Sequence, residues 1–133
     1  MEQRKPLVKL VDIKKEFPGV KALKGVSLEI LPGEVHGLVG ENGAGKSTLI
    51  KIMMGAYTAT SGEIFVDGVR QDIRNPQQAR ALGLGAVYQD VTLAPHLTVA
   101  ENFFLGCQPR KSGRVDWKTM YRSVQKTLDE LNI

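Results

Sequence analysis

Nine residues, Gly40-Glu41-Asn42-Gly43-Ala44-Gly45-Lys46-Ser47-Thr48, place three glycines, one lysine and two hydroxyls between two apolar runs. Gly40, four intervening residues and Gly45-Lys46-Ser47 satisfy the spacing of a phosphate-binding loop. The glycines let the backbone take φ values that other residues resist, so its N–H groups can approach phosphate oxygens without side-chain interference. A helix opening at Lys46 would add its own unpaired N–H groups to that cradle. Lys46 supplies a mobile charge for the β- and γ-phosphates, where each charge-assisted hydrogen bond contributes about 1.5–3 kcal/mol. Ser47 offers a hydroxyl to the magnesium ion that bridges the same phosphates, and Thr48 can reach the α-phosphate. A chance match in a chain this long has a probability on the order of half a per cent.

The flanking sequence supplies the elements such a loop needs. Val35-His-Gly-Leu-Val39 is apolar on both faces and predicts a strand buried in the middle of a sheet. Lys46 to Ala56 is helix-forming and apolar nearly all round, which predicts a largely buried helix. Upstream, Leu7–Ile13 and Val20–Ile30 alternate apolar and polar residues, with Phe17-Pro-Gly19 as the turn between two half-exposed antiparallel strands. Downstream, Glu63–Asp67 reads as a short strand. Asn75-Pro76 opens a helix that stops at Gly83, and Gly85–Gln89 reads as a second buried strand. Thr98-Val-Ala-Glu101 fits a capping box. From Asp116 the apolar positions Trp117, Met120, Tyr121, Val124, Leu128 and Leu131 recur at helical spacing, an amphipathic helix expected to pack on its own domain.

Composition removes several function classes. With 133 residues, 42% of them apolar, the chain is one domain with a packed core. Its net charge of +4 comes from 18 basic residues spread among 14 acidic ones, and the densest basic run, Arg110–Arg114, reads as a solvated loop rather than a nucleic-acid surface. No apolar run approaches the roughly 18 residues of a membrane span, and the N-terminal residues lack the apolar core of a signal peptide, so a soluble intracellular protein is expected. One cysteine, Cys107, excludes an internal disulfide, and neither His36 nor His96 lies near it to build a metal site.

Phosphate loops are shared by many families, and the surrounding residues narrow the choice. Phe17-Pro-Gly-Val-Lys-Ala-Leu23 through Ile30, Pro32-Gly-Glu34, the loop with Leu49-Ile-Lys-Ile-Met-Met-Gly55, Ser61-Gly-Glu-Ile64 with Asp67-Gly68, and Gln89 ahead of Leu97–Gly106 together resemble the ATP-binding subunits of ABC transporters. Glu16–Leu23, the Gly-Glu-Asn-Gly-Ala-Gly spelling and Asp116-Trp117 are similar to the ATPases of bacterial simple-sugar importers of the ribose and galactose type. The resemblance covers essentially the whole chain. It implies an α/β fold: a P-loop NTPase core with an N-terminal antiparallel β-subdomain. Residues 1–133 would be the N-terminal part of one nucleotide-binding domain, truncated before the signature and Walker B elements.

The same resemblance implies roles. ATP with Mg2+ would lie on Gly40–Thr48, with Phe17 stacking on adenine, Lys46 and Gln89 serving catalysis, and Ser47 and Gln89 facing the metal. The segment after Gln89, from Asp90 to Thr98, would meet membrane permease subunits, and a second nucleotide-binding domain would close over the ATP. That assembly is cytoplasmic and peripheral on the inner face of the cytoplasmic membrane, it involves no nucleic acid, and its sugar specificity resides in the permease and an external binding protein. These 133 residues contain no Leu-Ser-Gly-Gly-Gln-type signature, no second acidic strand and no switch histidine. A fragment is therefore expected, one that binds MgATP, hydrolyses it negligibly, and associates or is marginally stable when isolated. Three alternatives stand beside it: a non-catalytic nucleotide-binding or interaction module, a DNA-repair or DNA-packaging ATPase, and a small GTPase with Asp90 as magnesium ligand. The last lacks both an Asp-x-x-Gly and an Asn-Lys-x-Asp segment.

Overall fold

Alternation of side chains builds the first hairpin. β1 (Val8–Phe17) pairs antiparallel with β2 (Val20–Ile30) through the two-residue turn Pro18-Gly19, where proline presets the first position and Gly19 takes φ +79° at the second. The structure, a computed structural model, describes residues 5–88 and 93–133. β1 runs past the expected Ile13 because a bulge resets its phase: Asp12 adopts φ +48°, its N–H donates to Ser27 Oγ at 2.9 Å, and the pairing shifts between Leu10 and Ile13. The shift keeps Val8, Leu10 and Ile13 all buried, although strict alternation would have turned Ile13 away.

β3 (Ser61–Val66) pairs with the other edge of β1, and β4 (Val69–Gln71), which the sequence reading missed, completes an antiparallel sheet in the order β2-β1-β3-β4. One face of this sheet receives α1 (Lys46–Met53) and α2 (Pro76–Ala81). Leu49 and Ile52 of α1 and Ala79 of α2 join Val8, Leu10, Ile13, Leu23, Ile64 and Ile73 in one core. Burial of each large aliphatic chain there contributes about 1.5–3 kcal/mol. α1 is shorter and less enclosed than expected: it ends before Ala56, and Ile50 on its outer side is 40% exposed.

α2 begins as its sequence requires. Asn75 Oδ1 accepts the Gln78 N–H at 2.9 Å, and Pro76 occupies the first helical position, where no N–H is needed. Asn75→Ala is expected to lower the unfolding free energy by about 1 kcal/mol. In urea this appears as a lower midpoint at unchanged slope, and an unchanged midpoint would remove the cap from the account.

The two expected central strands are corrected. Residues 34–40 and 84–88 carry no strand pairing among the described residues, and Val35, Val39 and Val87 are 100%, 91% and 97% exposed. A strand exists through a ladder to a neighbour, and apolar composition without such a neighbour does not make one.

The chain divides into two units, residues 1–87 and 88–133. In the second, α3 (Val99–Phe103) and α4 (Trp117–Glu130) pack Ala100 against Met120 and Val124, with Phe104, Val115 and Leu128 around them. Between them a small hairpin, β5 (Arg110–Lys111) with β6 (Arg114–Val115), turns at Ser112-Gly113, where an unstructured solvated loop was expected. Its basic residues are exposed all the same. Trp117 and Tyr121 do not enter the core; they stack on each other at 6.2 Å with both rings about half exposed. Among the described residues no helix is long and apolar enough to cross a membrane.

Candidate phosphate and nucleotide site

The loop sits at the N-terminus of α1 as its spelling demands. Gly45 is the N-cap at φ +92°, no side chain among the described residues caps the first turn, and the N–H groups there carry the positive end of the helix dipole. Gly45 is required for a second reason. A Cβ built on it would lie 2.6 Å from the Ala22 carbonyl oxygen and 2.6 Å from Leu23 Cδ2, so the helix start is pressed directly onto β2. The Ala44 N–H donates to the Glu41 carbonyl at 3.1 Å, closing the turn, while Gly40, Glu41, Asn42, Gly43, Ala44 and Ser47 are exposed and Lys46 and Thr48 half-buried.

Lys46 folds back over its own loop. Its Nζ donates to the Gly40 carbonyl at 2.5 Å and to the Glu41 carbonyl at 2.8 Å. Two carbonyls thus hold the ammonium over the loop. At the entry to this stretch, Glu34 accepts the Leu31 N–H at 2.7 Å and a 2.7 Å hydrogen bond from His36 Nδ1. The backbone donor first and the imidazole second hold the Glu34 carboxyl below its ordinary value.

Phe17 is brought to the same region. It pairs with Val20 at the tip of the hairpin, and Ala22, the residue Gly45 leans on, is two positions further along β2. Two residues along a strand and one step across a sheet are about 7 Å and about 5 Å, so Phe17 lies roughly 9 Å from the point where the loop meets the sheet. Phe17 keeps an aromatic partner that nothing near it in sequence announces. Tyr57 meets it in a T-shaped pair, with centroids 5.4 Å apart and planes at 75°, and Lys15 Nζ stands 5.1 Å from the Phe17 centroid. Lys15 and Phe17 share one strand at spacing two, the signal that could have paired them. Gln89 and Asp90 lie outside the described residues.

In the second unit, the segment expected to face a permease is described from Leu93 onward. Leu93, Val99, Phe103 and Leu105 are each about half or more exposed. Asn102 staples this segment to α3: its Oδ1 accepts the Ala94 N–H at 2.8 Å and its Nδ2 donates to the carbonyls of Ala94, Leu97 and Thr98. The expected capping box is present, with Glu101 accepting from the Thr98 N–H and hydroxyl, and these bonds depress the Glu101 carboxyl.

The Gly-x4-Gly-Lys-Ser spelling at the opening of a helix is the phosphate-loop motif shared by P-loop NTPases. The ABC transporter family profile matches residues 23–133, and the chain belongs to that family. Two solved ATP-binding cassettes of ABC transporters share its fold. One is nucleotide-free (TM-score 0.68, 28% identity, 88% of this chain and 46% of that one). The other is in its ADP conformation (TM-score 0.67, 29% identity, 88% and 45%). Among curated relatives, the ribose import ATP-binding protein RbsA 1 of Rubrobacter xylanophilus is 54% identical over 97% of this chain and 26% of its own length. The ribose import ATP-binding protein RbsA 2 of Escherichia coli O157:H7 is 51% identical over 95% and 25%. The chain thus spans about a quarter of the length of these relatives.

Proposed function

We propose that residues 1–133 are the N-terminal part of one nucleotide-binding domain in the ATP-hydrolysing subunit of a bacterial sugar importer of the ribose type. The observation that carries the reading is the uncapped α1 N-terminus with Lys46 held over it and Gly45 seated on β2, a cradle open to polyphosphate. The names of the curated relatives support ribose import. Gly40–Thr48 hold the phosphates of MgATP, Lys46 neutralises the β- and γ-phosphates, Ser47 and Gln89 face magnesium, and Phe17 stacks on adenine. The exposed apolar residues after Gln89 meet the permease on the inner face of the cytoplasmic membrane, and a second nucleotide-binding domain closes over the nucleotide. This chain by itself binds MgATP and hydrolyses it negligibly.

Calorimetric titration with MgATP and with magnesium tripolyphosphate, which lacks base and ribose, tests the assignment. Both bind the unaltered chain. Loss of one base–aromatic stack is about 1–3 kcal/mol, so Phe17→Ala weakens MgATP about five- to a hundredfold and leaves tripolyphosphate unchanged. Failure of the unaltered chain to bind either ligand overturns the proposal.

A further inference from the structure

The aromatic that would carry adenine does not stand alone. After α1 the chain turns at Gly55, and the N–H groups of Ala56 and Tyr57 both donate to the Lys51 carbonyl, at 2.8 and 3.1 Å, tying Tyr57 to the last turn of the helix. Residues 58–60 are then stitched to β1. Lys15 Nζ donates to the Thr58 carbonyl at 2.8 Å, the Thr60 N–H to the Lys14 carbonyl at 2.8 Å, and the Glu16 N–H to Thr60 Oγ1 at 3.0 Å. Tyr57 is thereby fixed to both elements that matter. Its ring stands nearly perpendicular to that of Phe17 at 5.4 Å, with Lys51 Nζ 5.3 Å and Lys15 Nζ 6.0 Å from its centroid.

We infer that Tyr57 and Lys15 are positioning residues for nucleotide binding: they set the tilt and the electrostatics of the Phe17 ring, so that base platform and phosphate loop are held in register by α1. The inference rests on the reading of Phe17 as the adenine platform. Its physical basis is threefold. Helix α1 is eight residues, about 12 Å, with the phosphate loop at its start and the tether of Tyr57 at its end. An edge-to-face aromatic contact is directional, so Tyr57 selects one tilt of Phe17 that area burial alone would leave free. A cation held over an aromatic ring draws its π density, and the Thr58 carbonyl prevents Lys15 from wandering. Neither residue needs to touch the nucleotide.

The test compares MgATP with magnesium tripolyphosphate on the 133-residue chain. Tyr57→Ala is expected to weaken MgATP about three- to tenfold and tripolyphosphate by less than about twofold, with Tyr57→Phe restoring the wild-type ratio because it keeps the ring. Lys15→Met is expected to weaken MgATP about two- to fivefold and Lys15→Arg to restore it. If Tyr57→Ala does not fold, Tyr57→Leu carries the same comparison against Tyr57→Phe. Equal losses on both ligands would make Tyr57 a plain structural residue and overturn the inference. So would an unchanged Tyr57→Ala ratio beside an ATP-selective loss in Phe17→Ala. Should Phe17→Ala itself show no ATP-selective loss, the platform reading fails and this inference falls with it, a pattern distinct from the other two.

Discussion

Lys46→Ala is expected to lower the affinity of the chain for MgATP about ten- to two-hundredfold, and that for magnesium tripolyphosphate by the same factor. The figure follows from losing one charge-assisted contact to phosphate, about 1.5–3 kcal/mol. Equality of the two losses is the sharper part, because Lys46 sits on the loop carbonyls of Gly40 and Glu41 at the phosphate end of the site. Lys46 already has two acceptors in the loop carbonyls, so the net gain on binding is an exchange, and strong bonds there keep it in the lower part of the range. Folding should be little affected, since among the described residues the ammonium hydrogen-bonds to exposed loop backbone. Binding is the proper readout, given the negligible turnover proposed for this chain. A steady-state rate comparable to a working transporter ATPase, abolished by Lys46→Ala, would refute that part of the proposal.

Gly45→Ala should be the most damaging small substitution in the loop, and Gly43→Ala its control. Both glycines have positive φ, +92° and +84°, so a side chain at either carries about 1–3 kcal/mol of backbone strain. Of the two, Gly45 is also crowded: the new Cβ would fall 2.6 Å from the Ala22 carbonyl oxygen, whereas that of Gly43 meets nothing within 4 Å among the described residues. Relieving that clash means lifting α1 from β2, an overpacking cost of about 1–3 kcal/mol more, and moving the first-turn N–H groups away from their aim. Gly45→Ala should therefore lose both stability in a urea melt and affinity for tripolyphosphate, and by more than Gly43→Ala on each. Equal effects would show that the close approach to β2 has no energetic role.

Most local features were legible because they depend on neighbours in sequence. Asn75-Pro76 and Thr98 with Glu101 each start a helix where their side chains predict, and the apolar spacing that begins after Asp116 marks the last helix. Strand β4 and the β5–β6 hairpin were missed because segments of two or three residues are too short to show a period. Val35–Val39 and Gly85–Tyr88 were misread for the opposite reason. Their composition suits a buried strand, but pairing is a long-range property, and among the described residues they have no ladder.

At the site the division is similar. By itself the sequence determined the phosphate loop, because the glycines, Lys46 and Ser47 act through the backbone of nine consecutive residues and their meaning survives without a partner. It also determined the family, through spellings spread along the chain and now matched over residues 23–133. What only tertiary structure decided is the relation of that loop to everything remote from it. Gly45 against Ala22, Phe17 against Tyr57, and Lys15 on Thr58 join residues 23, 40 and 43 positions apart. No local propensity encodes such contacts; they arise where a bulged hairpin and one short helix share a core.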